Sequence, residues 1–534
     1  MLMPFRIAVD FGTSNTVLSC WDEETEKARI LAFPEWSRPC TGQEGGTSYI
    51  PSLIHYGEGN ATWIGNQVCE KGLLDSPSTV RWMKHYILTR SPVRIPLPGG
   101  NKSYREAGTD FLRALLSSLT QMRGTGDTEA VFTIPVEAFE HYQDWIFDLS
   151  GTTGISSVRV VDEASAAALA SGISLRTGES FMLFDMGGGT LDVSVVQLED
   201  REQEHDTGRR CRILGKAGED IGGMRIDQWI FEYVQEQCLA VRGHGALKGF
   251  SRPLLTACER AKEDLSRVDA TEIAFTPAIP GESGFSIPFT RGDLERILEE
   301  NEMFSRLNAT LQRALQGAYS RGFEEDDLSG VVMVGGCSQI PSIRRALEYR
   351  FGRNRVWHDH PLDTVARGAA AFSSGIDLDD HVQHEYALRF WNSRSGIHEY
   401  RTLVRKGDPY PSRQPVARFL IRATYDGQVQ LGVPIYEIVR PGSRRGQSFR
   451  ELVSEPGGGM RLLDLPGECS DRTTLSWINE NAPFFIPANP PALRDESRFE
   501  ISFSLDGNKR LLITASDTRT GQIVMKDQPV ARLV

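Results

Sequence analysis

One local pattern occurs twice in this chain, and it narrows what the chain can fold into more than any other feature. The first copy runs from Phe5 to Ser19 and sets Asp10, Gly12, Thr13, Ser14 and Asn15 between two apolar runs. The second runs from Phe181 to Val196 and sets Asp185, Gly187, Gly188, Gly189, Thr190 and Asp192 in the same way. Each reads as a strand, an Asp, a glycine-bearing turn with hydroxyls, and a second strand. Glycines allow positive φ and let backbone N–H groups approach an anion with no Cβ in the way. The hydroxyls add donors, and the Asp can hold a hydrated Mg²⁺ against phosphates. One copy alone would read equally well as an ordinary hairpin. Two copies, about 175 residues apart, predict a duplicated phosphate clamp.

The chain has 534 residues, too many for one core, so two to four domains are expected. Its longest apolar runs are strand-length, which argues against a membrane span. The start, Met1 to Arg6, enters a strand without a signal-peptide pattern. None of the eight cysteines stands in a Cys-x-x-Cys pair, so neither a zinc site nor a disulfide framework is predicted. These features together predict a cytoplasmic protein. A net charge of −12 argues against a nucleic-acid partner, which favours a basic face.

Residues 1–200 alternate strand-like and helix-like segments, an α/β signature. Ala130–Pro135 reads as a strand, and Val158–Glu163 as a strand entering an Ala-rich helix that ends at Gly172. Residues 225–325 read as mostly helical, with the amphipathic run Leu254–Ser266. Val331 to Pro341 reads as a buried strand, a Gly335-Gly336 turn and a helix start, and residues 360–371 as a small-residue helix. Near Gly375 the pattern changes. Ile376–Asp380 is short and acidic, linker-like in composition, and short alternating strands follow it. Phe499 to Ala515 carries a hairpin signal at Asp506-Gly507-Asn508. Pro- and Gly-rich pieces near 407–415, 454–459 and 482–492 are expected to separate strands, giving a β-sandwich-like domain.

In this order the motifs resemble those of the Hsp70 chaperone family, and more widely the superfold shared by sugar kinases, Hsp70 and actin. Asp10–Thr13 resembles the first phosphate loop, Arg81–Lys84 the segment with the catalytic lysine, and Phe132–Pro135 a proline-bearing strand. Asp162–Ala168 resembles the first connecting segment, and Asp185–Thr190 the second phosphate loop. Gly222, Gly223 and Asp227 match a turn near the nucleotide, and Thr256–Ser266 matches the adenosine helix nearly word for word. Gly335-Gly336 matches the adenosine motif.

The resemblance implies a two-lobed actin-like ATPase of duplicated RNase H-like domains over 1–375, a linker at 376–384, and a β-rich binding domain over 385–534 without a helical lid. It implies ATP/ADP and Mg²⁺ as cofactors. Asp10, Glu163 and Asp185 would hold Mg²⁺ mainly through water. Lys84 would act on the attacking water, with Asp192 orienting that network. Gly12, Thr13, Ser14, Asn15, Gly187, Gly188, Gly189 and Thr190 would cradle phosphate, with Gly222 and Gly223 beside them. Glu259, Lys262 and Ser266, three and four residues apart, would share one helix face toward ribose and adenine. Gly335, Gly336, Cys337 and Gln339 would complete the adenosine side. Cys337 and Gln339 stand where the family has Ser and a base-stacking Arg, which weakens stacking. The family's Leu-rich linker is replaced by Ile376–Asp380. Asp363 reads equally as an acid in the first turn of its helix or as a ligand.

An unfolded or extended polypeptide client is the implied partner, with a J-domain co-chaperone. The alternative is a nucleotide-switched scaffold recruiting one dedicated protein. A small-molecule kinase of the same superfold ranks third, because the adenosine helix and the β-rich tail speak against it.

Overall fold

A computed structural model of the chain describes residues 5–39, 48–123, 127–136, 140–172, 178–200, 209–242, 251–275, 285–358, 362–374, 377–382, 384–392, 395–439, 449–454, 460–465, 474–479 and 483–533. The chain divides into two compact units, one of Met1–Leu378 with Arg450–Asp464, the other of Asp379–Phe449 with Leu465–Val534.

The first unit contains the same half twice. In the first half, strand Phe5–Phe11 pairs antiparallel with Asn15–Asp22 and parallel with Thr128–Ile134, which pairs parallel with Ser157–Asp162. In the second, strand Ser180–Met186 pairs antiparallel with Leu191–Asp200 and parallel with Leu328–Val334, which pairs parallel with Val356–Trp357. Helix Glu140–Thr153 makes the parallel crossover in the first half, and Pro341–Phe351 makes it in the second. Parallel neighbours require such crossovers, which is why the duplicated hairpins are followed by helical stretches. The central strands are almost wholly buried and therefore lack polar alternation.

Each half ends in a small-residue helix, Glu163–Gly172 and Thr364–Ser373. The two pack directly on each other through Ala166, Ala167, Ala369 and Ala370, all buried. A Cβ placed on Gly368 would lie 1.6 Å from the Ala166 carbonyl oxygen. Only glycine permits that approach. Ser19 Oγ donates to the Ala366 carbonyl at 2.6 Å, tying the second helix to the first sheet.

The second unit is a β-sandwich-like body. One sheet runs Ile397–Val404, Glu385–Asn392, Ile435–Val439, Thr474–Trp477; the other runs Ala417–Arg422, Ser497–Leu505, Arg510–Asp517, Ile523–Arg532. Leu388, Leu403 and Ile435 share a core with Phe499, Ile501, Phe503 and Ile513. The hairpin at 506–508 forms, with Asp506 accepting the backbone N–H of Asn508 and of Arg510, each at 2.9 Å.

Three local expectations fail. Pro409–Tyr410, inside the separator expected near 407–415, is a short strand. Asp377–His381, read as linker, is a strand whose Asp380 and His381 pair with Tyr410 and Pro409. The buried Asp380 carboxylate accepts the Tyr410 hydroxyl, which offsets burying an acid there. Gly375, Ile376 and Gln383 lie outside the described residues. Phe485–Ala492, read as a separator, is a strand paired with Gln428–Gly432. Its prolines are tolerated because, among the described residues, the ribbon has two strands, which leaves each with an edge outside the ladder. Residues 455–459 of the separator at 454–459 lie outside the described residues.

The helix contact yields a prediction. Gly368→Ala should destabilise the first unit by about 1–3 kcal/mol or more, because a backbone carbonyl must move. Gly151→Ala, where a Cβ meets nothing within 4 Å, should be neutral or stabilising. Thermal melting of the two variants checks this; equal midpoints would contradict it.

Candidate functional site

Both glycine turns close with the same hydrogen bond. Gly12 N–H donates to Asn15 O at 3.0 Å, and Gly187 N–H donates to Thr190 O at 3.0 Å. Each turn sits two residues past an Asp near a strand end, Asp10 in one and Asp185 in the other. The turns face each other at contact distance. A Cβ on Gly188 would lie 2.4 Å from Ser14 Oγ, and one on Gly189 would lie 2.5 Å from Thr13 Oγ1. At Gly12 it would lie 2.2 Å from Asn15 O.

Two further turns join them. Gly223 N–H donates to Gly187 O at 3.0 Å and Met224 N–H to Gly188 O at 2.7 Å, while a Cβ on Gly222 would meet Gly189 backbone at 2.7 Å. Gly335 has φ +82°, and a Cβ there would lie 2.5 Å from Asp185 Oδ1. Gly336 follows it into a 3₁₀ turn. Thus Gly12 to Asn15, Gly187 to Thr190, Gly222, Gly223 and Gly335 come together as one glycine cluster, packed so closely that a Cβ at Gly12, Gly188, Gly189, Gly222, Gly223 or Gly335 would meet neighbouring atoms.

Acids gather around one lysine. Lys84, on helix Met83–Leu88, is buried and ion-paired with Glu163, the first residue of helix Glu163–Gly172. Burial opposes the Lys84 charge, but Glu163, Tyr142 and Asp10 outweigh it and raise its pKa. Asp10 accepts a hydrogen bond from Thr133 Oγ1 at 2.8 Å. Burial, then Glu163, pushes Asp10 up to about 6 against the pull of Lys84. Burial pushes Asp185 well above the ordinary carboxylate range, with Glu163, Asp192 and Asp10 adding to it. Asp192 accepts the Val136 N–H at 3.1 Å, a link from one half of the unit to the other. Trp82, immediately before the lysine helix, is buried with φ +59°, a conformation costly for a bulky residue. Arg81 stacks over its ring at 4.4 Å.

On the other side, Lys262 donates to Gly223 O at 3.3 Å and pairs with Asp227 at 2.7 Å. Burial pushes Asp227 up to about 7 despite that lysine. Glu259 is ion-paired with Arg81. Burial would raise its pKa, but Arg81 and Lys262 prevail and lower it. The expected shared helix face is incomplete, because helix Ser251–Asp264 ends before Ser266, which lies in the following turn. Cys337 is buried, and burial pushes its thiol up to about 11. Gln339 is exposed. Asp363 stands at the N-cap position of helix Thr364–Ser373 and pairs with Arg367 at 2.6 Å.

Sequence reading overlooked Thr133 and Arg81. Thr133 is a hydroxyl at the site end of a buried strand, a usable signal. Arg81 lay beside the lysine motif, but its partner Glu259 is distant in sequence and nothing local identifies it.

The donor set fits a hard cation with its water shell. Asp10, Glu163 and Asp185 offer only oxygen, and burial, with the neighbouring Glu163 carboxylate, holds Asp10 and Asp185 above the ordinary range, which a cation would relieve. Among the described residues, no three acidic, His or Cys side chains are grouped for direct ligation. The glycine cradle beside these acids suits phosphate oxygens.

The described residues include no helix long and apolar enough to cross a membrane. A family model for the Hsp70 protein matches residues 90–385, more than half of the chain. That stretch contains Glu163, the three glycine turns of the second half and the Lys262 helix, whereas Asp10 and Lys84 precede it. The chain belongs to the Hsp70 family, whose members are nucleotide-binding, chaperone-type ATPases with a two-lobed actin-like ATPase fold followed by a β-sandwich.

Proposed function

We propose that residues 1–375 bind and hydrolyse Mg-ATP, and that residues 385–534 bind an extended polypeptide segment under control of the nucleotide. The observation that carries this reading is the pair of mutually facing glycine turns beside the Lys84–Glu163 ion pair. Phosphoryl transfer needs charge neutralisation and an aligned water more than covalent chemistry. Donors from Thr13, Ser14, Asn15 and Gly187 to Thr190 would hold the terminal phosphates. Lys84, fixed by Glu163, would orient the attacking water and offset charge developing on the transferred group. Asp192, anchored by Val136, would orient that lysine's surroundings. Mg²⁺, when bound by Asp10, Glu163 and Asp185 through water, would supply charge neutralisation of the phosphates. Lys262, Gly335, Gly336, Cys337 and Gln339 would flank the nucleoside, with Glu259 shared between Arg81 and the ribose.

Polypeptide capture would use sheet-edge pairing and apolar contacts of the β-rich region. J-domain co-chaperones act on the family, and one would be the expected stimulator here. The paired strand at 377–381, in place of a free linker, favours the scaffold reading as runner-up. Suppression of aggregation of several unrelated clients supports the chaperone reading. Capture of one protein with no such suppression supports the scaffold.

Lys84→Met, which keeps the aliphatic stem, should lower single-turnover ATP hydrolysis by about a hundredfold while ATP still binds. An unchanged rate would remove Lys84 from its role. The Asp10 pKa sets a second expectation. Because its folded value lies above the ordinary one, its ionised form is the costly one, and stability of the nucleotide-free chain falls as pH rises toward about 6. A divalent cation offsets that cost only where Asp10 is charged. The Mg²⁺-dependent rise in melting temperature with ADP should be larger at about pH 7.5 than at about pH 5.5. Equal shifts would contradict it.

A further inference from the structure

Beneath the acids lies a second ion pair that the proposed chemistry does not use. Lys216 Nζ donates to Asp162 Oδ2 at 2.9 Å, and both side chains are completely buried. Lys216 comes from strand Arg209–Glu219, which belongs to the second half of the unit and pairs with Leu191–Asp200. Asp162 ends strand Ser157–Asp162 in the first half. Its other oxygen accepts the Ser165 N–H at 2.8 Å, so it also caps helix Glu163–Gly172. The residue after Asp162 is Glu163, the partner of Lys84.

We infer that Lys216 and Asp162 are positioning residues that fix the start of the Glu163 helix against the second half, and so hold Glu163 and Lys84 in register with the Gly187–Thr190 turn. Burying two charges completely loses their hydration, and a well-packed apolar pair often serves stability as well or better. Such a pair is therefore weak evidence for stability and stronger evidence for a fixed geometry. Here the geometry is specific: one carboxylate spans a lysine from one half and a helix N–H from the other. Lys216 also sits two residues before Gly218, which pairs with Asp192 in register. The Val136 N–H to Asp192 bond crosses the same two halves. Two polar links thus cross the halves beside the acids, one at each acid-bearing segment.

This inference rests on the ATP-hydrolysing reading, so the parent chain is assayed alongside every variant. The test is the full-length double variant Asp162→Asn with Lys216→Met, in which Asn keeps the helix cap and no buried charge is left alone. Lys216→Arg, which keeps the charge but moves the donor, is the second variant. Single-turnover hydrolysis should fall about tenfold or more in either, with ATP affinity by calorimetry within about threefold of the parent, since alignment rather than binding is lost. In the nucleotide-free double variant, amide exchange across 163–172 should accelerate. A parent-like rate and parent-like exchange in the folded double variant would overturn the inference. If that variant does not fold, a parent-like rate in Lys216→Arg overturns it. A parent chain that hydrolyses no ATP would instead sink the ATPase reading itself.

Discussion

The structure depends first on the contact between two glycine turns. Ser14 and Thr13 lie against the α-carbons of Gly188 and Gly189 so closely that no side chain fits between them. This contact brings Asp10 and Asp185 to one place from strands far apart in the sequence. Burial and the neighbouring carboxylates raise the pKa values of Asp10 and Asp185, with Lys84 as the compensating charge. Such a cluster is costly without a further cation, while the glycine turns beside it present backbone N–H groups suited to an anion, a combination that matches a metal-bound polyphosphate.

The duplicated halves explain how that contact is maintained. Glu163–Gly172 and Thr364–Ser373 pack backbone to backbone at Gly368 and Ala166, so the two halves share a narrow contact of small residues. Lys216–Asp162 and Val136–Asp192 add polar links beside it. Across the site, Arg81 joins Glu259, and Thr256 donates to Asp75 at 2.6 Å.

Much of this was legible in the sequence because it is local. Strand, Asp, glycine turn and strand occur within about fifteen residues in each copy, and backbone chemistry at that range needs little context. The hairpin at 506–508 was readable for the same reason. The shared face of Glu259, Lys262 and Ser266 was misread because the helix stops at Asp264, and periodicity alone does not mark where a helix frays. Phe485–Ala492 was misread because its prolines mark turns in most contexts, whereas an edge position accommodates them. The Arg81–Glu259 and Lys216–Asp162 pairs were not legible, because each joins segments whose proximity arises only when both halves are folded.

The most direct test of the central claim is calorimetric titration of ATP into the full-length chain with and without Mg²⁺, followed by phosphate release in the same sample. The account predicts one nucleotide per chain, binding that strengthens with Mg²⁺, and release of phosphate from the bound complex. Absence of binding in the presence of Mg²⁺ would contradict the reading of the paired glycine turns as a phosphate clamp.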